Sequence, residues 1–387
     1  MKPMCCLVIL VVGCGKGAAP TMAMPDLGGA TSTDAGDPLD DYVLTHMRTA
    51  EVPALAAAVV KNDQVVLERA WGTADLTDSR PATPDTLFML ASVSKTVTAV
   101  ALMQLVEQGK LTLDDPVDAK LGFQVRNPAF PNTPITARML LSHTSSIEDG
   151  PRFYSYNVVG MDSPIALDAF VRGYLTSGGM YFDAANWNAT AAPGTHYSYS
   201  NAGIALAGEL VETLSGMSLQ QYCQQHLFGP LGMSESSFRL ADLDRAHIAM
   251  PYDSDGNGGY TAEGYFCYPD YPAGGLRTSA NQLARFLMAF IQFGQLGGAQ
   301  ILSRASVEEM RKQQPSSEEG LSWEFAPLGM RQLIGHSGGD AGVSTDMYFD
   351  PATGAGFVVL TNSLVWSDPL RAEALGQIEE KLLQQAP

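Results

Sequence analysis

The chain contains two kinds of apolar pattern, and each predicts a different element. The segment "ALAAAVVKNDQVVLERAWG" reads as two strands joined by a turn at Asn62-Asp63. Three more strand-like runs lie near the C-terminus, at 331–335, 343–349 and 356–361. Helical spacing marks "LDDYVLTHMRTA", "SANQLARFLMAFIQFG", "SRASVEEMRKQ" and about 369–383. Strands at both ends of the chain, with helices between them, predict one sheet assembled from distant segments.

The most apolar helical segment covers about 92–108 in "LASVSKTVTAVALMQLVEQGKL". It has no polar face, so we predict a helix that is central to the fold and ends at Gly109. Ser92 and Lys95 stand at its N-terminal end. The following stretch, about 115–265, is rich in Pro, Gly, Tyr and Asn and predicts a lobe of short helices and loops.

Composition narrows the class of protein. The chain has 387 residues, 45% of them hydrophobic and 17% charged, which is typical of a globular protein. A net charge of −18 argues against nucleic acid as a partner, because phosphates require a basic surface. No Cys/His spacing suggests zinc, so we expect neither a metal nor a cofactor.

The N-terminus has the pattern of an export signal. Lys2 precedes an apolar run that is too short to span a bilayer. "VVGC" resembles the lipobox of bacterial lipoproteins, which implies that Cys14 is lipidated and that 1–14 is the signal peptide. The alternative is a simple secretory signal cleaved nearby. The composition of 15–38 predicts a flexible tether to a domain at 39–387 on the cell envelope.

Other short stretches of the sequence match known functional motifs only in part. "GHSGG" at 335–339 matches G-x-S-x-G, but none of the six histidines follows Ser337 and a strand follows in place of a helix, which excludes a nucleophile elbow. A trypsin-like arrangement with His143 as base is disfavoured because that fold is all-β.

"DSDGNGG" at 253–259 lacks the acid that an EF-hand needs and reads as a turn. A disulfide between Cys223 and Cys267 is left open.

Ser92 and Lys95 have a chemical and a structural interpretation. Three residues apart at a helix start, their side chains lie on one face, where unpaired N–H groups can stabilise an oxyanion. Burial would lower the pKa of Lys95, so that a neutral amine accepts the Ser92 proton. A serine N-cap and a lysine reaching the surface are, however, commoner explanations of an isolated S-x-x-K.

Two further motifs favour the chemical interpretation. Tyr199-Ser200-Asn201 and His336-Ser337-Gly338 follow S-x-x-K in this order. The three motifs resemble those of the serine β-lactamase and penicillin-binding protein superfamily, nearest to its class C β-lactamase-like branch of DD-peptidases, D-aminopeptidases and esterases. The resemblance runs from Leu39 to the C-terminus. It implies an α/β (α+β) fold, with an antiparallel sheet flanked by helices and a mainly helical lobe.

The resemblance also implies roles for the first two motifs. Ser92 is the expected nucleophile, and Lys95 helps to deprotonate it. Tyr199 is expected to act as general base with Lys95 and to activate water for deacylation, with a pKa lowered by neighbouring cations. Asn201 is expected to bond to the substrate amide and to Lys95.

The third motif is expected to line the substrate site. The backbone N–H groups of Ser92 and Gly339 would form the oxyanion hole, and Gly338 and Gly339 would let substrate lie against the strand. His336, beside Ser337, replaces the lysine of true β-lactamases and could steer a carboxylate when protonated. Ser146 stands where the family usually has glycine, and His143 is expected to pack beneath the site.

Four functions are compatible with these motifs. We expect an exported serine hydrolase that acts on a small-molecule or peptide substrate, either a peptidase or amidase for D-amino acid peptides or an esterase. A class C-like β-lactamase is weakened by the missing lysine. A non-catalytic envelope-binding lipoprotein would not need Ser92, Lys95 and Tyr199 together. The only membrane contact expected is the lipid anchor, and the sequence does not give the oligomeric state.

Overall fold

The structure, a computed structural model, describes residues 21–23 and 36–386. Cys14, the predicted signal peptide and most of the predicted tether lie outside these residues. Within the tether, Met22–Ala23 pairs as a short strand with Gly259 and Tyr260. The first helix, α1 (Pro38–Ala50), begins where the Asp37 side chain accepts a hydrogen bond from the Leu39 N–H, with proline in the first turn.

A seven-stranded antiparallel sheet forms the centre of the α/β lobe. In chain order its strands are β1 (Ala54–Lys61), β2 (Gln64–Asp75), β3 (Arg80–Pro81), β4 (Glu324–Leu328), β5 (Arg331–Asp340), β6 (Val343–Phe349) and β7 (Ala355–Thr361). Their spatial order is β4-β5-β6-β7-β1-β2-β3. The pairing of β7 with β1 joins the two ends of the chain, as the sequence predicts.

The sheet is covered on both faces, which explains why β1 is apolar throughout. Leu55, Ala57 and Val59 point to one face, where they pack with side chains of α1 and of the C-terminal helix. The alternate residues of β1 point to the opposite face and join the large core beneath the helical lobe. Successive strand side chains point to opposite faces, so burial of both faces removes the usual alternation of polar residues.

The remaining helices divide between the sheet and the helical lobe. They are α2 (Ser94–Glu107), α3 (Asp118–Leu121), α4 (Ala137–Leu141), α5 (Leu167–Leu175), α6 (Asn201–Ser215), α7 (Leu219–Cys223), α8 (Gly229–Leu231), α9 (Ala280–Ile291), α10 (Arg304–Met310) and α11 (Pro369–Leu383). α9 packs on the sheet, whereas α2 packs against α6, which contacts α4, α5 and α7. The turn before α2, Ala91–Val93, contacts β5 and β6, so the start of α2 lies where the two lobes meet.

Nine strands of two to four residues lie outside this sheet in the described part of the chain: Met22–Ala23, Phe88–Met89, Val158–Val159, Tyr252–Ser254, Gly259–Ala262, Phe266–Cys267, Arg277–Thr278, Gln295–Leu296 and Ala299–Gln300. Tyr252–Ser254 and Gly259–Ala262 form a hairpin. The Asp255 carboxylate between them accepts from the N–H groups of Asn257 and Gly259, so "DSDGNGG" is a turn.

Several predictions can be compared with this fold. The described residues contain no helix long and apolar enough to cross a membrane. Cys223 and Cys267 are both buried as free thiols, which answers the open disulfide question. Strand β4, which pairs with β5 at the edge of the sheet, was not predicted. Its sequence, "EFAPL", contains a glutamate and a proline, and proline is tolerated at a sheet edge but is not a strand signal.

Candidate active site

Ser92 lies in a strained turn at the start of the central helix. Ala91–Val93 forms one 3₁₀ turn, and α2 continues from Ser94. Ala91 has a φ of 46°, a left-handed conformation that costs a non-glycine residue on the order of 1 kcal/mol. The turn is fixed through Leu90, whose carbonyl accepts from the Thr345 hydroxyl at 2.7 Å and whose N–H donates to the Leu276 carbonyl at 2.8 Å.

Lys95 is fully buried and points to Ser92. Its Nζ donates to Ser92 Oγ at 2.9 Å and to the Ala273 carbonyl at 2.7 Å. Burial lowers the pKa of Lys95 from 10.5 to about 8, against the opposing effect of nearby carboxylates, Asp149 first among them. A substantial fraction of the amine is therefore neutral at mildly alkaline pH and able to accept a proton from Ser92.

Tyr199 completes a three-residue cluster with Ser92 and Lys95. Lys95 Nζ lies 4.9 Å from the centre of the Tyr199 ring, and the phenol interacts with the Ser92 hydroxyl. The predicted direction of its pKa shift is wrong. Burial, followed by the charge of Glu324, raises the pKa of Tyr199 well above its ordinary value of 10. The phenol is therefore protonated in the free protein, and Lys95 is the better proton acceptor.

Asn201 lies beside this cluster with its amide already bonded. Its Nδ2 donates to Asp149 Oδ2 at 2.8 Å and to the Tyr154 hydroxyl at 3.2 Å. The hydrogen bonds of Lys95 go to Ser92 and Ala273, so the expected bond between Asn201 and Lys95 is replaced by these contacts. Asp149 also accepts from the backbone N–H groups of Asn201 and Ala202 and thus holds the start of α6 in place.

Carboxyl groups surround the lysine. Burial raises the pKa of Asp149 above its usual range, and burial together with the Asp149 charge raises that of Asp270 to about 8. Burial also raises the pKa of Asp340, at the end of β5, to about 6. Lys95 interacts electrostatically with all three groups and favours their ionised forms. The cleft therefore has an acidic character that the sequence analysis did not identify.

His336 does not have the environment of a cation that steers substrate. The ring is completely buried, and its Nδ1 lies 2.5 Å from the Ser337 carbonyl. Burial lowers the pKa of His336, although the Glu324 charge opposes this. A neutral, buried imidazole cannot attract a substrate carboxylate, in contrast to the expectation for a protonated ring. Ser337 is also engaged, since its N–H and hydroxyl both donate to Glu324, at 3.2 and 3.3 Å.

Gly338 and Gly339 bring β5 close to the serine turn. A Cβ at Gly338 would lie 2.3 Å from the Leu90 carbonyl oxygen and 3.1 Å from the Ser92 nitrogen. A Cβ at Gly339 would lie 2.9 Å from Cδ1 of Trp366, whose indole N–H donates to the Gly338 carbonyl at 3.3 Å. Only glycine fits this approach, and it puts the backbone of β5 beside the Ser92 amide, where an oxyanion could be stabilised.

His143 and Ser146 lie in the loop after α4. Both have positive φ angles, 54° and 63° respectively, so Ser146 keeps the left-handed backbone for which glycine is the favoured residue. The centre of the His143 ring lies 4.4 Å from that of Tyr199, with the two rings tilted by 35°, and burial lowers the pKa of His143 well below 6.5. His143 thus packs against the phenol ring of Tyr199. Its Nε2 lies 3.5 Å from Oε1 of Glu319.

The residues missed by sequence analysis are mostly acids: Asp149, Asp270, Glu319, Glu324 and Asp340. None belongs to a motif. A sequence signal existed for Glu319 and Glu324, because the glutamates of "EEGLSWEF" interrupt a largely apolar stretch. Burial raises the pKa of Glu319 well above its ordinary value, and this carboxyl is only 2% exposed.

Comparisons with known proteins identify the family of this chain. The family model described as Beta-lactamase matches residues 39–380. Protein flp of Staphylococcus aureus (strain MW2) is 23% identical over 333 residues, which cover 86% of this chain and 64% of that protein. This chain spans less than two thirds of the length of the curated relatives that it matches.

Solved structures are similar over most of the chain. The octameric penicillin-binding protein homologue from Pyrococcus abyssi superposes with a TM-score of 0.67 and 27% identity, covering 87% of this chain and 76% of that one. The D-amino acid amidase from Ochrobactrum anthropi SV3 gives a TM-score of 0.69 at 21% identity, covering 88% and 97%, a likeness of fold alone. This chain therefore belongs to the β-lactamase family, within the serine β-lactamase and penicillin-binding protein superfamily.

Proposed function

We propose that this protein is a serine hydrolase that forms an acyl-enzyme on Ser92 and acts on amides or esters. The observation that carries the proposal is the contact between Ser92 Oγ and the buried Lys95 amine at 2.9 Å, at the N-terminus of a helix. A buried lysine with a pKa near 8 is suited to accept a proton, which a surface lysine at 10.5 is not.

The proposed reaction has two balanced steps. Neutral Lys95 accepts the Ser92 proton while Oγ attacks the substrate carbonyl, and the negative oxygen is stabilised by the N–H groups of Ser92 and Gly339. Protonated Lys95, assisted by the Tyr199 hydroxyl, returns a proton to the leaving amine or alcohol. Water then attacks the ester on Ser92 and gives a proton to neutral Lys95. The bond between the acyl carbon and Ser92 Oγ breaks, Lys95 returns the proton to Oγ, and a carboxylic acid is released.

We further propose that the substrate has a neutral or amine-bearing acyl group. Asp149, Asp270 and Asp340 lie around Lys95, and His336 is neutral. A carboxylate on the substrate, which β-lactams and peptides with a free C-terminus carry, would add another ionised group to a buried cleft in which burial already raises the pKa of three carboxyls that share the Lys95 cation. The fold likeness to a D-amino acid amidase supports an amide substrate with a free amine.

The first experiment measures hydrolysis of p-nitrophenyl butyrate by the purified protein and by Ser92→Ala. We expect turnover by the wild type and a loss of at least about a thousandfold in the variant. Ser234→Ala, which removes an exposed hydroxyl, is the matched control and should retain full activity. A Ser92→Ala variant as active as wild type would refute Ser92 as nucleophile.

A substrate panel then separates the candidate activities. We expect D-phenylalanine p-nitroanilide to be cleaved faster than its N-succinyl derivative, since only the latter adds a carboxylate. The chromogenic cephalosporin nitrocefin should be turned over slowly or not at all. Faster cleavage of nitrocefin than of the free amine would instead favour the β-lactamase alternative. An intact fold that is inert toward every donor would favour the non-catalytic binding protein.

Export and lipid anchoring are also part of the proposal. They rest on the lipobox-like "VVGC" sequence and the short apolar run before it. Expression of the whole chain in a bacterium should place it in the membrane fraction, and Cys14→Ser should release it. If the Cys14→Ser protein stays with the membrane to the same extent as wild type, lipidation at Cys14 is wrong.

A further inference from the structure

Three ionisable side chains lie together behind the Tyr199 ring. They are Glu319, Glu324 and His336, here called the carboxylate–histidine cluster. One possible ligand atom from each lies within 4.8 Å of the others. Glu319 belongs to the loop before β4, and Glu324 opens β4, where it pairs with Gly335 next to His336. The mechanism above gives this cluster no task.

The hydrogen bond of His336 determines which ring nitrogen is free. Nδ1 lies 2.5 Å from the Ser337 carbonyl oxygen, which can only accept, so the proton is on Nδ1. Nε2 then carries a lone pair, and it is buried without a hydrogen-bond partner. An imidazole held by Nδ1–H on a backbone carbonyl, with Nε2 left open, has the arrangement that proteins use for metal-binding histidines.

Glu319 is the second group without a partner. The side chain is 2% exposed, and neither carboxylate oxygen has a hydrogen bond. Its neighbour His143 faces Oε1 through Nε2 at 3.5 Å. Because His143 Nδ1 accepts from the Ser200 N–H at 3.1 Å, the proton of this neutral ring is on Nε2, and the ring cannot itself bind a metal there. A buried carboxylate in this position requires a proton or a cation.

Glu324 is oriented by an outer set of donors. Its Oε2 accepts from the Tyr348 hydroxyl at 2.7 Å, in addition to the two bonds from Ser337. Oε1 lies 3.7 Å from Nδ1 of His336, the nitrogen that carries the proton, so the Glu324 side chain must rotate for Oε1 to share an ion with Nε2. Carboxylates that bind metals are typically held in this way by hydrogen bonds to one oxygen.

We propose that Glu319, Glu324 and His336 bind one divalent cation of the zinc type. One imidazole and two carboxylates are ligands that zinc accepts, and the two negative charges balance the ion. Ligand atoms around a tetrahedral zinc are about 3.3 Å apart, so side-chain rotations must close the present separations. Three protein ligands leave one position for water. The proposal goes beyond the hydrolase function and does not depend on it.

The test is a calorimetric titration of the purified, EDTA-treated chain, free of any affinity tag, with ZnCl₂. Because Cys5, Cys6 and Cys14 can also bind zinc, the comparison is between variants of the same chain. We expect wild type to bind one more equivalent of zinc than Glu319→Gln, or to bind it at least about tenfold more tightly. Glu318→Gln removes an exposed neighbouring carboxylate and should behave as wild type.

A second variant and a second readout guard against misfolding of Glu319→Gln. Glu324→Gln should lose the same equivalent, and zinc should raise the Tm of wild type and Glu318→Gln but not that of either cluster variant. Identical binding by wild type and both cluster variants would overturn the proposal. So would the absence of binding to wild type, which would assign a proton to Glu319 in place of a cation.

Discussion

The two sides of the cleft differ in how their buried polar groups are satisfied. On the helix side, the Lys95 amine is fully buried but donates to Ser92 and to the Ala273 carbonyl. On the strand side, His336 Nε2 and both oxygens of Glu319 are buried without a partner. Buried polar groups are normally bonded, so the helix side is complete as it stands, whereas the strand side requires a further proton or ion.

The difference shows that burial alone does not define the role of a charged group. Lys95 and Glu319 are both buried, and burial moves each pKa toward the neutral form. Lys95 is next to a hydroxyl that can exchange a proton with it, which suits catalysis. The Glu319 carboxyl has no hydrogen bond to a group that could exchange a proton with it, which suits the binding of an ion.

Among the variants that follow, Lys95→Met is expected to cause the largest loss of activity, and it tests the helix side of the cleft. Methionine fills a similar volume but cannot accept the Ser92 proton, so kcat/KM for p-nitrophenyl butyrate should fall by about 10² to 10⁴-fold. The exposed Lys110→Met serves as control and should leave activity unchanged. If Lys95→Met keeps more than about a tenth of wild-type activity while folded, Lys95 is not the base.

Gly338→Ala tests the close approach of β5, on the strand side of the cleft, to the turn that holds Ser92. Its Cβ would lie 2.3 Å from the Leu90 carbonyl oxygen and 2.4 Å from Thr345 Oγ1, so the turn that holds Ser92 must move. We expect kcat/KM to fall about a hundredfold, because small displacements of reacting groups are costly, and the free energy of unfolding to fall by about 1–3 kcal/mol.

The matched control for this substitution is Gly376→Ala. Gly376 lies within α11, and a Cβ there would have no atom within 4 Å outside the backbone of its own helix. The same methyl group should therefore raise the free energy of unfolding by about 0.5–1 kcal/mol in urea denaturation, with activity unchanged. Equal losses of activity in both glycine variants would contradict a specific role for Gly338.

The pH dependence of kcat/KM tests whether nearby carboxylates raise the pKa of Lys95. Activity requires neutral Lys95, so kcat/KM should rise about tenfold per pH unit below about 8 and level off above it. The Asp270 carboxylate raises the pKa of Lys95, so Asp270→Asn should move the inflection to lower pH.

The exposed Asp255→Asn is the control for that shift and should leave the inflection in place. A profile that is flat between pH 6 and 9, measured with an uncharged ester, would mean that Lys95 does not titrate in the rate-determining step. An inflection that moves upward in Asp270→Asn would contradict the assigned sign.

The smallest expected effect lies outside both sides of the cleft. The Asp368 side chain accepts from the N–H groups of Leu370 and Arg371 at the start of α11. Asp368→Ala should lower the free energy of unfolding by about 1 kcal/mol in urea denaturation without changing kcat/KM. A substantial change in kcat/KM would show that α11, on the far face of the sheet, is coupled to the cleft.

Much of the fold could be predicted because its signals are local. The two strands around Asn62-Asp63, the three C-terminal strand runs and the helix at Pro369–Leu383 all appear where the apolar periodicity puts them. The prediction missed β4, whose charged and proline residues are permitted only because it lies at the edge of the sheet. The 3₁₀ turn before α2 was also missed, since its strain is imposed by contacts of Leu90 with distant residues.

For the site, the order of motifs allowed Ser92, Lys95 and Tyr199 to be named together, and the structure brings these three side chains together. The partners of these residues could not be named. Asn201 bonds to Asp149 and Tyr154 in place of Lys95, and the Tyr199 pKa moves in the direction opposite to that expected. Both outcomes depend on residues that no motif contains.

The sequence by itself determined five of the seven strands of the sheet, the buried helix and the position of Ser92 and Lys95 at its start, because periodicity and three-residue spacing are properties of neighbours in the chain. Only the tertiary structure decided the charge states. Lys95 donates to a carbonyl 178 residues away, and the four carboxyls that raise its pKa come from three separate segments of the chain. A pKa depends on burial and on charges nearby in space, and neither can be read from residues nearby in sequence.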